Sequence, residues 1–202
     1  MYIDNPISEY LGDLAAKKPA PGGGSAAALS AAIGAGLMSM VANYTAGNPK
    51  YKANEKQAAG ILARSEKYRK MLQALVDRDV EAYEKLSAGI KKAEKDPAEL
   101  DKLYKDALES PFEICKITAD ALKTCKDLAG CGNKNLVTDT AIAAIMLEGA
   151  FFSAKFNVYI NLKYIKDIDF ISAVHKVLSP LEISMSELKE DILEMCEEII
   201  QK

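Results

Sequence analysis

Two long stretches of the sequence carry almost no charge. Gly24 to Ala42 consists mainly of Ala, Gly and Ser, and Thr138 to Leu162 has only three charged residues. A membrane span would be dominated by Leu, Ile and Phe, which favour insertion far more than Ala and Gly do. Small side chains at three- and four-residue spacing instead allow helices to approach closely. The first stretch is therefore predicted to be a central, tightly packed helix of a soluble protein, and the second to pack beside it.

A short motif that occurs three times predicts where helices begin. It places a capping Asp or Ser first, proline at the first helical position and glutamate at the third. Proline suits this position because its missing N–H would have no helical partner there. The motif occurs as DPAE (96–99), SPFE (110–113) and SPLE (179–182). The predicted helices span residues 7–17, 25–46, 52–94, 97–109, 111–129, 135–166 and 180–201, with a short one at 169–176.

Strand signals are nearly absent, since the chain has no Asn-Gly or Asp-Gly hairpin turn and no sustained alternation of apolar and polar residues. The pattern therefore predicts an all-α, multi-helix bundle with the two Ala/Gly-rich helices at its centre. No linker-like composition divides the 202 residues. Residues 1–202 are accordingly predicted to form a single domain.

Composition excludes several classes of function. The 26 basic and 29 acidic residues are dispersed and give a net charge of −3, so no basic face indicates a nucleic-acid partner. The four cysteines show no CxxC spacing and the chain has one histidine, so no metal site is expected and the cysteines are interpreted as buried free thiols. The N-terminus lacks a basic segment followed by an apolar one. A cytoplasmic protein that does not associate with membranes is therefore expected.

The segment Pro21-Gly22-Gly23-Gly24-Ser25 is a candidate binding site for an anion or a carbonyl group. Three glycines permit close approach of a ligand to the backbone, and Ser25 is predicted to open a helix whose first N–H groups are free. A tight turn without a ligand is the alternative. The chain contains neither GxxxxGK[ST] nor GxGxxG, which disfavours a nucleotide.

Polar residues within or beside the apolar helices are the other candidates. Asp139 and Asn133 lie at the start of the second uncharged stretch, where capping is the alternative role. Asn157 and Asn161 lie one helical turn apart in an apolar segment, where buried amides would need partners. Asp79 is one of several acidic residues on a charged helix, and its surroundings in the sequence do not distinguish it.

Five sequence blocks together resemble one known family, in order and over nearly the whole chain. The resemblance is to the cyclodeaminase/methenyltetrahydrofolate cyclohydrolase family, which includes the C-terminal part of formiminotransferase-cyclodeaminase and stand-alone bacterial enzymes. Two positions depart from the family pattern: Ala20 stands where threonine is usual, and Thr138 where serine commonly precedes the aspartate. The blocks are KKPAPGGGSAAALSAAIGAGLMSMVANYT, DRDVEAY, ESPFEICKITADAL, GNKNLVTDTAIAA and AKFNVYINLKYIKD.

The resemblance implies an all-helical homodimeric enzyme whose substrate is a tetrahydrofolate derivative and which holds no permanently bound cofactor. Asp139 and Asp79 become candidate catalytic carboxylates that face the cationic carbon of 5,10-methenyltetrahydrofolate, and Asp139 is favoured of the two for its position after the GNKN block. The substrate-binding candidates are Pro21, Gly22, Gly23, Gly24, Ser25, Asn133, Asn157 and Asn161. Because 202 residues leave no room for a formiminotransferase portion, hydrolysis to 10-formyltetrahydrofolate is favoured over deamination of formiminotetrahydrofolate. A non-catalytic helical scaffold is the alternative of another class.

The separation of two candidates bears on the assembly. Asp139 and Asn157 are 18 residues apart, so one unbroken helix would hold them on the same face but about 27 Å apart. Either the helix breaks between them, or a second subunit brings its own Asn157 to this Asp139. A homodimer with sites shared between subunits is predicted.

Overall fold

Six α-helices form the bundle in the part of the chain that the structure describes. They are α1 (Ile7–Ala15), α2 (Gly23–Thr45), α3 (Glu55–Ile90), α4 (Pro97–Cys131), α5 (Val137–Leu162) and α6 (Ile168–Ile200). Short 3₁₀ turns lie at Tyr2–Asp4, Pro49–Asn54 and Lys134–Leu136. The structure is a computed structural model that describes residues 1–93 and 96–202. No strand occurs among these residues, which confirms the prediction of an all-α bundle.

The Ala-rich helix α2 lies at the centre and packs against α3, α4 and α5. Its small residues Ala28, Ala31 and Ala35 are completely buried. A methyl group on Gly34 would lie 3.2 Å from the Leu147 side chain of α5. The two helices therefore approach closely enough at Gly34 that a side chain there would crowd Leu147, as predicted from their small side chains.

Two of the three predicted helix starts are wrong. DPAE does begin α4, where the Asp96 carboxylate accepts hydrogen bonds from the N–H groups of Ala98 and Glu99. SPFE and SPLE instead lie inside continuous helices, so Pro111 is within α4 and Pro180 within α6. An interior proline costs an isolated helix about 3 kcal/mol. Here, apolar residues before and after each proline pack into the bundle core, and their burial outweighs that local cost.

Other boundaries differ by a few residues from those predicted. The short helix expected at 169–176 is the first part of α6, and α5 ends at Leu162 rather than at residue 166. The predicted end of the third helix at residue 94 lies outside the described residues, and α3 ends at Ile90.

Two segments are long and apolar enough to cross a membrane by length and composition, Gly23–Thr45 and Lys134–Leu162. In the first, 61% of the residues in the apolar window are buried within the bundle; in the second, 39% are. Helix α5 therefore keeps an apolar face that this chain alone does not cover.

Candidate functional site

A cavity of about 380 Å³ lies between the start of α2, the C-terminal half of α3, the N-terminal half of α4 and the C-terminal half of α5. It combines one carboxylate, two amides and the segment of residues 22–24, called the glycine turn here, with an apolar, aromatic wall. Its lining residues include Gly22, Gly23, Gly24, Asp79, Tyr83, Tyr104, Ala107, Pro111, Asn157, Ile160, Asn161 and Tyr164.

The cavity gathers most of the residues that the sequence singled out. The three glycines, Asp79 and the two asparagines of α5 all line it, although they come from three helices. Pro21 and Ser25 flank the glycines, and the Ala20–Pro21 peptide bond is cis. Ser25 is fully buried and does not line the cavity, so it packs beneath the turn.

Asp79 has the electrostatic environment of a proton-transfer group. Burial raises the pKa of its carboxyl to about 6, and a hydrogen bond from the backbone N–H of Ser25 opposes that rise. The carboxylate also lies at the N-terminal end of α2, where the helix dipole favours negative charge. A carboxyl with a pKa near neutrality can accept and return a proton under physiological conditions.

The absence of a side chain at Gly24 allows the Asp79 carboxylate to lie where it does. A Cβ atom at Gly24 would lie 2.6 Å from Cγ of Asp79 and 2.7 Å from its Oδ2 atom. Only a residue without a side chain permits the carboxylate to sit against the first turn of α2.

We expect Gly24→Ala to lower activity by at least about tenfold while the protein stays folded, because the added methyl pushes Asp79 out of position. Gly60→Ala is the matched control, since no atom lies within 4 Å of the added methyl and it lies within α3. Steady-state kinetics and thermal melts compare the two. Full activity in Gly24→Ala would show that the position of the carboxylate is unimportant.

The N-terminal segment braces this arrangement. The Tyr10 hydroxyl donates to Oγ of Ser25 at 3.2 Å, and both groups are buried. Asp77 accepts hydrogen bonds from the backbone N–H groups of Tyr2 (2.5 Å) and Ile3 (3.3 Å). Sequence reasoning did not identify Tyr10 or Asp77, because nothing local to either residue indicates a partner so far along the chain.

The two asparagines of α5 line the same cavity as the glycine turn and Asp79. Each uses its amide N–H within α5: Asn157 donates to the carbonyl of Ser153 at 3.0 Å, and Asn161 to the carbonyl of Asn157 at 2.9 Å. A Cβ atom at Gly23 would lie 3.5 Å from Nδ2 of Asn157. The amide of Asn157 therefore borders the glycine turn directly.

Asp139 and Asn133 do not line the cavity. Helix α5 runs unbroken from Val137 to Leu162, which excludes the alternative that it breaks between Asp139 and Asn157 and places them about 27 Å apart along the axis. The Asn133 side chain accepts hydrogen bonds from the Asn135 N–H and the Tyr51 hydroxyl, and donates to the Tyr44 carbonyl. Within one chain, Asn133 stabilises the turn before α5.

An aromatic pair forms part of the wall and was missed by the sequence analysis. The rings of Tyr104 and Tyr164 stack with centroids 4.8 Å apart and planes 16° from parallel. They come from α4 and from the turn after α5, with no common motif. Such a surface suits a flat heteroaromatic ligand.

The four cysteines are free and buried, as predicted. Burial raises the pKa of Cys115 to about 12, so this thiol stays protonated and unreactive at neutral pH. Among residues 1–93 and 96–202, no group of three or more His, Cys, Asp or Glu side chains is placed to hold a metal ion.

Comparison with known proteins identifies relatives that all belong to one family. Residues 6–179 match the formiminotransferase-cyclodeaminase family. The methenyltetrahydrofolate cyclohydrolase of Methylorubrum extorquens is 33% identical over 195 residues, which cover 93% of this chain and 94% of that protein. The formimidoyltransferase-cyclodeaminase of Mus musculus is 31% identical over 89% of this chain, which corresponds to 34% of its own length.

A solved structure agrees with these matches. The crystal structure of formiminotetrahydrofolate cyclodeaminase from Thermotoga maritima superposes with a TM-score of 0.93 at 31% identity, and covers 99% of this chain and 100% of that one. The resemblance identified from the five sequence blocks is thereby confirmed.

Proposed function

The chain belongs to the formiminotransferase-cyclodeaminase family of folate-dependent one-carbon enzymes, and from this premise we propose that it hydrolyses 5,10-methenyltetrahydrofolate to 10-formyltetrahydrofolate. The observation that carries the proposal is the partly buried carboxyl of Asp79, whose pKa is raised to about 6, beside the glycine turn of a cavity with an aromatic wall. The M. extorquens relative, which matches along 94% of its length, bears the name of this activity.

In the proposed mechanism Asp79 acts as the general base. The methenyl carbon is bonded to N5 and N10 of the folate and carries delocalised positive charge, which an ionised carboxylate stabilises. Water adds to this carbon and transfers a proton to Asp79. The adduct then forms the C=O bond as the bond from carbon to N5 breaks. N5 takes the proton back from Asp79, and the hydroxyl proton of the adduct leaves to solvent.

The other cavity residues bind and orient the substrate in this proposal. The first N–H groups of α2 point from the glycine turn and bind a carbonyl or anionic group of the folate. Asn157 and Asn161 hydrogen-bond to polar edges of the ligand, and the stacked pair Tyr104 and Tyr164 packs against a flat ring.

Deamination of formiminotetrahydrofolate is the second candidate, because the T. maritima protein that superposes at a TM-score of 0.93 is a cyclodeaminase. The same pocket suits it: N10 attacks the formimino carbon, and the formimino nitrogen of the adduct receives the N10 proton and a second proton from a carboxylic acid at position 79. The bond from carbon to this nitrogen then breaks and ammonia leaves.

Two assays distinguish the candidates. On mixing with 5,10-methenyltetrahydrofolate, the enzyme should accelerate the loss of the methenyl absorbance beyond the rate in buffer alone. Release of ammonia from formiminotetrahydrofolate, with no acceleration of methenyl hydrolysis, would establish the deaminase instead. Absence of both activities would contradict the proposal and favour the scaffold alternative.

We further propose that the enzyme is a homodimer in which α5 pairs with its copy. Ile142, Ile145, Phe156 and Ile160 are 46–70% exposed and lie on one uncharged face of this helix. Gly149 lies at the middle of that face, and no atom of the chain is within 4 Å of the position of its Cβ. An apolar face of this length on one helix is typical of a subunit contact.

The face is self-complementary in an antiparallel pair. Ile142 and Phe156 are equally spaced on either side of Gly149, so a twofold axis at Gly149 brings each against the other in the second copy. Asp139 lies ten residues before Gly149 and Asn157 eight after it. The partner subunit's Asp139 therefore falls within about 3 Å, along the helix axis, of Asn157 at the cavity edge. In this arrangement the second copy supplies a second carboxylate to a cavity that already contains Asp79.

Ile145→Glu should convert the dimer to a monomer of 21.9 kDa and lower activity by at least about tenfold, because the pairing would bury two unpaired charges. Ile183→Glu is the control, because Ile183 is 67% exposed on α6. Analytical ultracentrifugation measures the mass. A monomeric wild-type protein with full activity would contradict the dimer. We also propose that the enzyme is cytoplasmic, so recovery of the wild-type protein with membranes would contradict both the dimer and this location.

A further inference from the structure

Pro111 interrupts the hydrogen bonding of α4 beside the cavity. In a regular α-helix the N–H of residue 111 would donate to the carbonyl of Ala107, four residues earlier. Proline has no N–H, so this carbonyl loses its usual helical donor. Both Ala107 and Pro111 line the cavity. The helix thus has a carbonyl without its usual donor at a residue that lines the cavity.

Pro180 in α6 has the same local chemistry but different surroundings. It also lies inside a continuous helix, and the carbonyl that loses its donor belongs to Lys176. Both residues are exposed, so bulk water can hydrate that carbonyl. Ala107 is only 7% exposed and Pro111 is buried. At Pro111, the cavity is therefore the side from which a donor can reach the carbonyl.

The neighbouring residue on this face of α4 indicates what kind of donor fits. Tyr104 precedes Ala107 by one helical turn and stacks with Tyr164 in the same wall. A flat ring that packs against this pair would bring its edge towards the Ala107 carbonyl. The pterin ring of a tetrahydrofolate is the part that carries an exocyclic amino group on such an edge.

We propose that the Ala107 carbonyl, released from the helix by Pro111, accepts a hydrogen bond from the 2-amino group of the pterin ring. This inference rests on the proposed folate substrate. It assigns Pro111 a positioning role: the proline keeps an acceptor available for substrate recognition, and neither residue takes part in proton transfer at the reacting carbon.

Pro111→Ala restores the N–H, which can then donate to Ala107 and occupy the acceptor. We expect KM, and Kd for 5-formyltetrahydrofolate, to rise by about tenfold, the effect of losing one buried hydrogen bond. We expect kcat to change by less than about twofold and the melting temperature to stay the same or rise, because a helical hydrogen bond is gained. Pro180→Ala is the matched control: it should affect melting in the same direction and leave KM and Kd unchanged.

A ligand analogue tests the hydrogen bond itself by isothermal titration calorimetry. Wild type should bind 5-formyltetrahydrofolate about tenfold more tightly than its 2-desamino analogue, and Pro111→Ala should bind the two alike. Pro111→Ser, which also restores the N–H, replaces the alanine variant if that one does not fold. Equal binding of both ligands by wild type, or an undiminished preference in the variant, would overturn the inference. Failure of wild type to bind any tetrahydrofolate would overturn the proposed function instead.

Discussion

Asp79→Asn should lower the turnover of 5,10-methenyltetrahydrofolate by at least about a hundredfold without unfolding the protein. Asparagine keeps the shape and can still accept the hydrogen bond from Ser25, but it has no negative charge and cannot take a proton. A positioned general base usually contributes about a hundredfold or more to the rate. Glu84→Gln makes the same change of carboxylate to amide at an exposed position of α3, and its kinetics should match wild type.

The pH dependence of activity follows from the same carboxyl group. Because the base must be ionised, and burial raises the pKa of Asp79 to about 6, kcat/KM of wild type should decrease as the pH falls through about 6. The residual activity of Asp79→Asn should lack this decrease. A wild-type profile that is flat between pH 5 and pH 7 would exclude Asp79 as the base.

The stability of the variant should change in the opposite direction to its activity. The pKa of Asp79 is about 6 in the folded state and 3.8 for the unperturbed group. Between those values the folded state binds the proton more tightly, so its stability decreases as the pH rises from about 4 to 6. A difference of about two pKa units corresponds to an upper bound on the order of 3 kcal/mol at pH 7. Asp79→Asn removes this penalty, and denaturant unfolding should show it to be more stable than wild type at pH 7 but not at pH 4. Lower stability at pH 7 would assign Asp79 a structural role.

Sequence reasoning succeeded for features that residues near one another in the chain determine. The small residues of α2 predict close packing because a helix without large side chains can approach its neighbours closely, and Gly34 beside Leu147 is the observed result. The glycine turn at the start of α2 also comes from adjacent residues, and the prediction that it binds a ligand stays a prediction. Its contact with Asp79 could not be predicted in this way, because that contact depends on how α2 packs on α3 and neither helix's sequence determines this packing alone.

The failures have a common physical cause. SPFE and SPLE contain all the local signals of a helix start, yet burial of the flanking apolar residues carries α4 and α6 through Pro111 and Pro180. The pair Tyr104 and Tyr164 meets only in the folded chain. At the prolines, contacts between distant residues outweigh the local signal for a helix start. At the tyrosines, such contacts create a feature that the local sequence does not contain.

Mixing two inactive variants should show whether Asp139 of one subunit contributes to the active site of the other. Asp139→Asn alone should lower activity by at least about a hundredfold if the carboxylate faces the substrate cation. In the proposed dimer, each site combines Asp79 of one chain with the partner subunit's Asp139. After reversible dissociation and reassociation of Asp79→Asn with Asp139→Asn, half of the dimers are mixed. Each mixed dimer has one site with both carboxylates and one with neither, so activity should return to about a quarter of the wild-type value.

The pairing of Gly24→Ala with Asp79→Asn is the control for this experiment. Both changes affect the same chain's part of the cavity, as the contact between Gly24 and Asp79 requires. Every site of their mixed dimer therefore keeps one defect, and activity should not return. If ultracentrifugation of differently labelled subunits shows that mixed dimers form and the Asp79 and Asp139 variants still give no activity, the site lies within one chain. Full activity of Asp139→Asn by itself would return Asp139 to the role of an acidic residue that stabilises the first turn of α5.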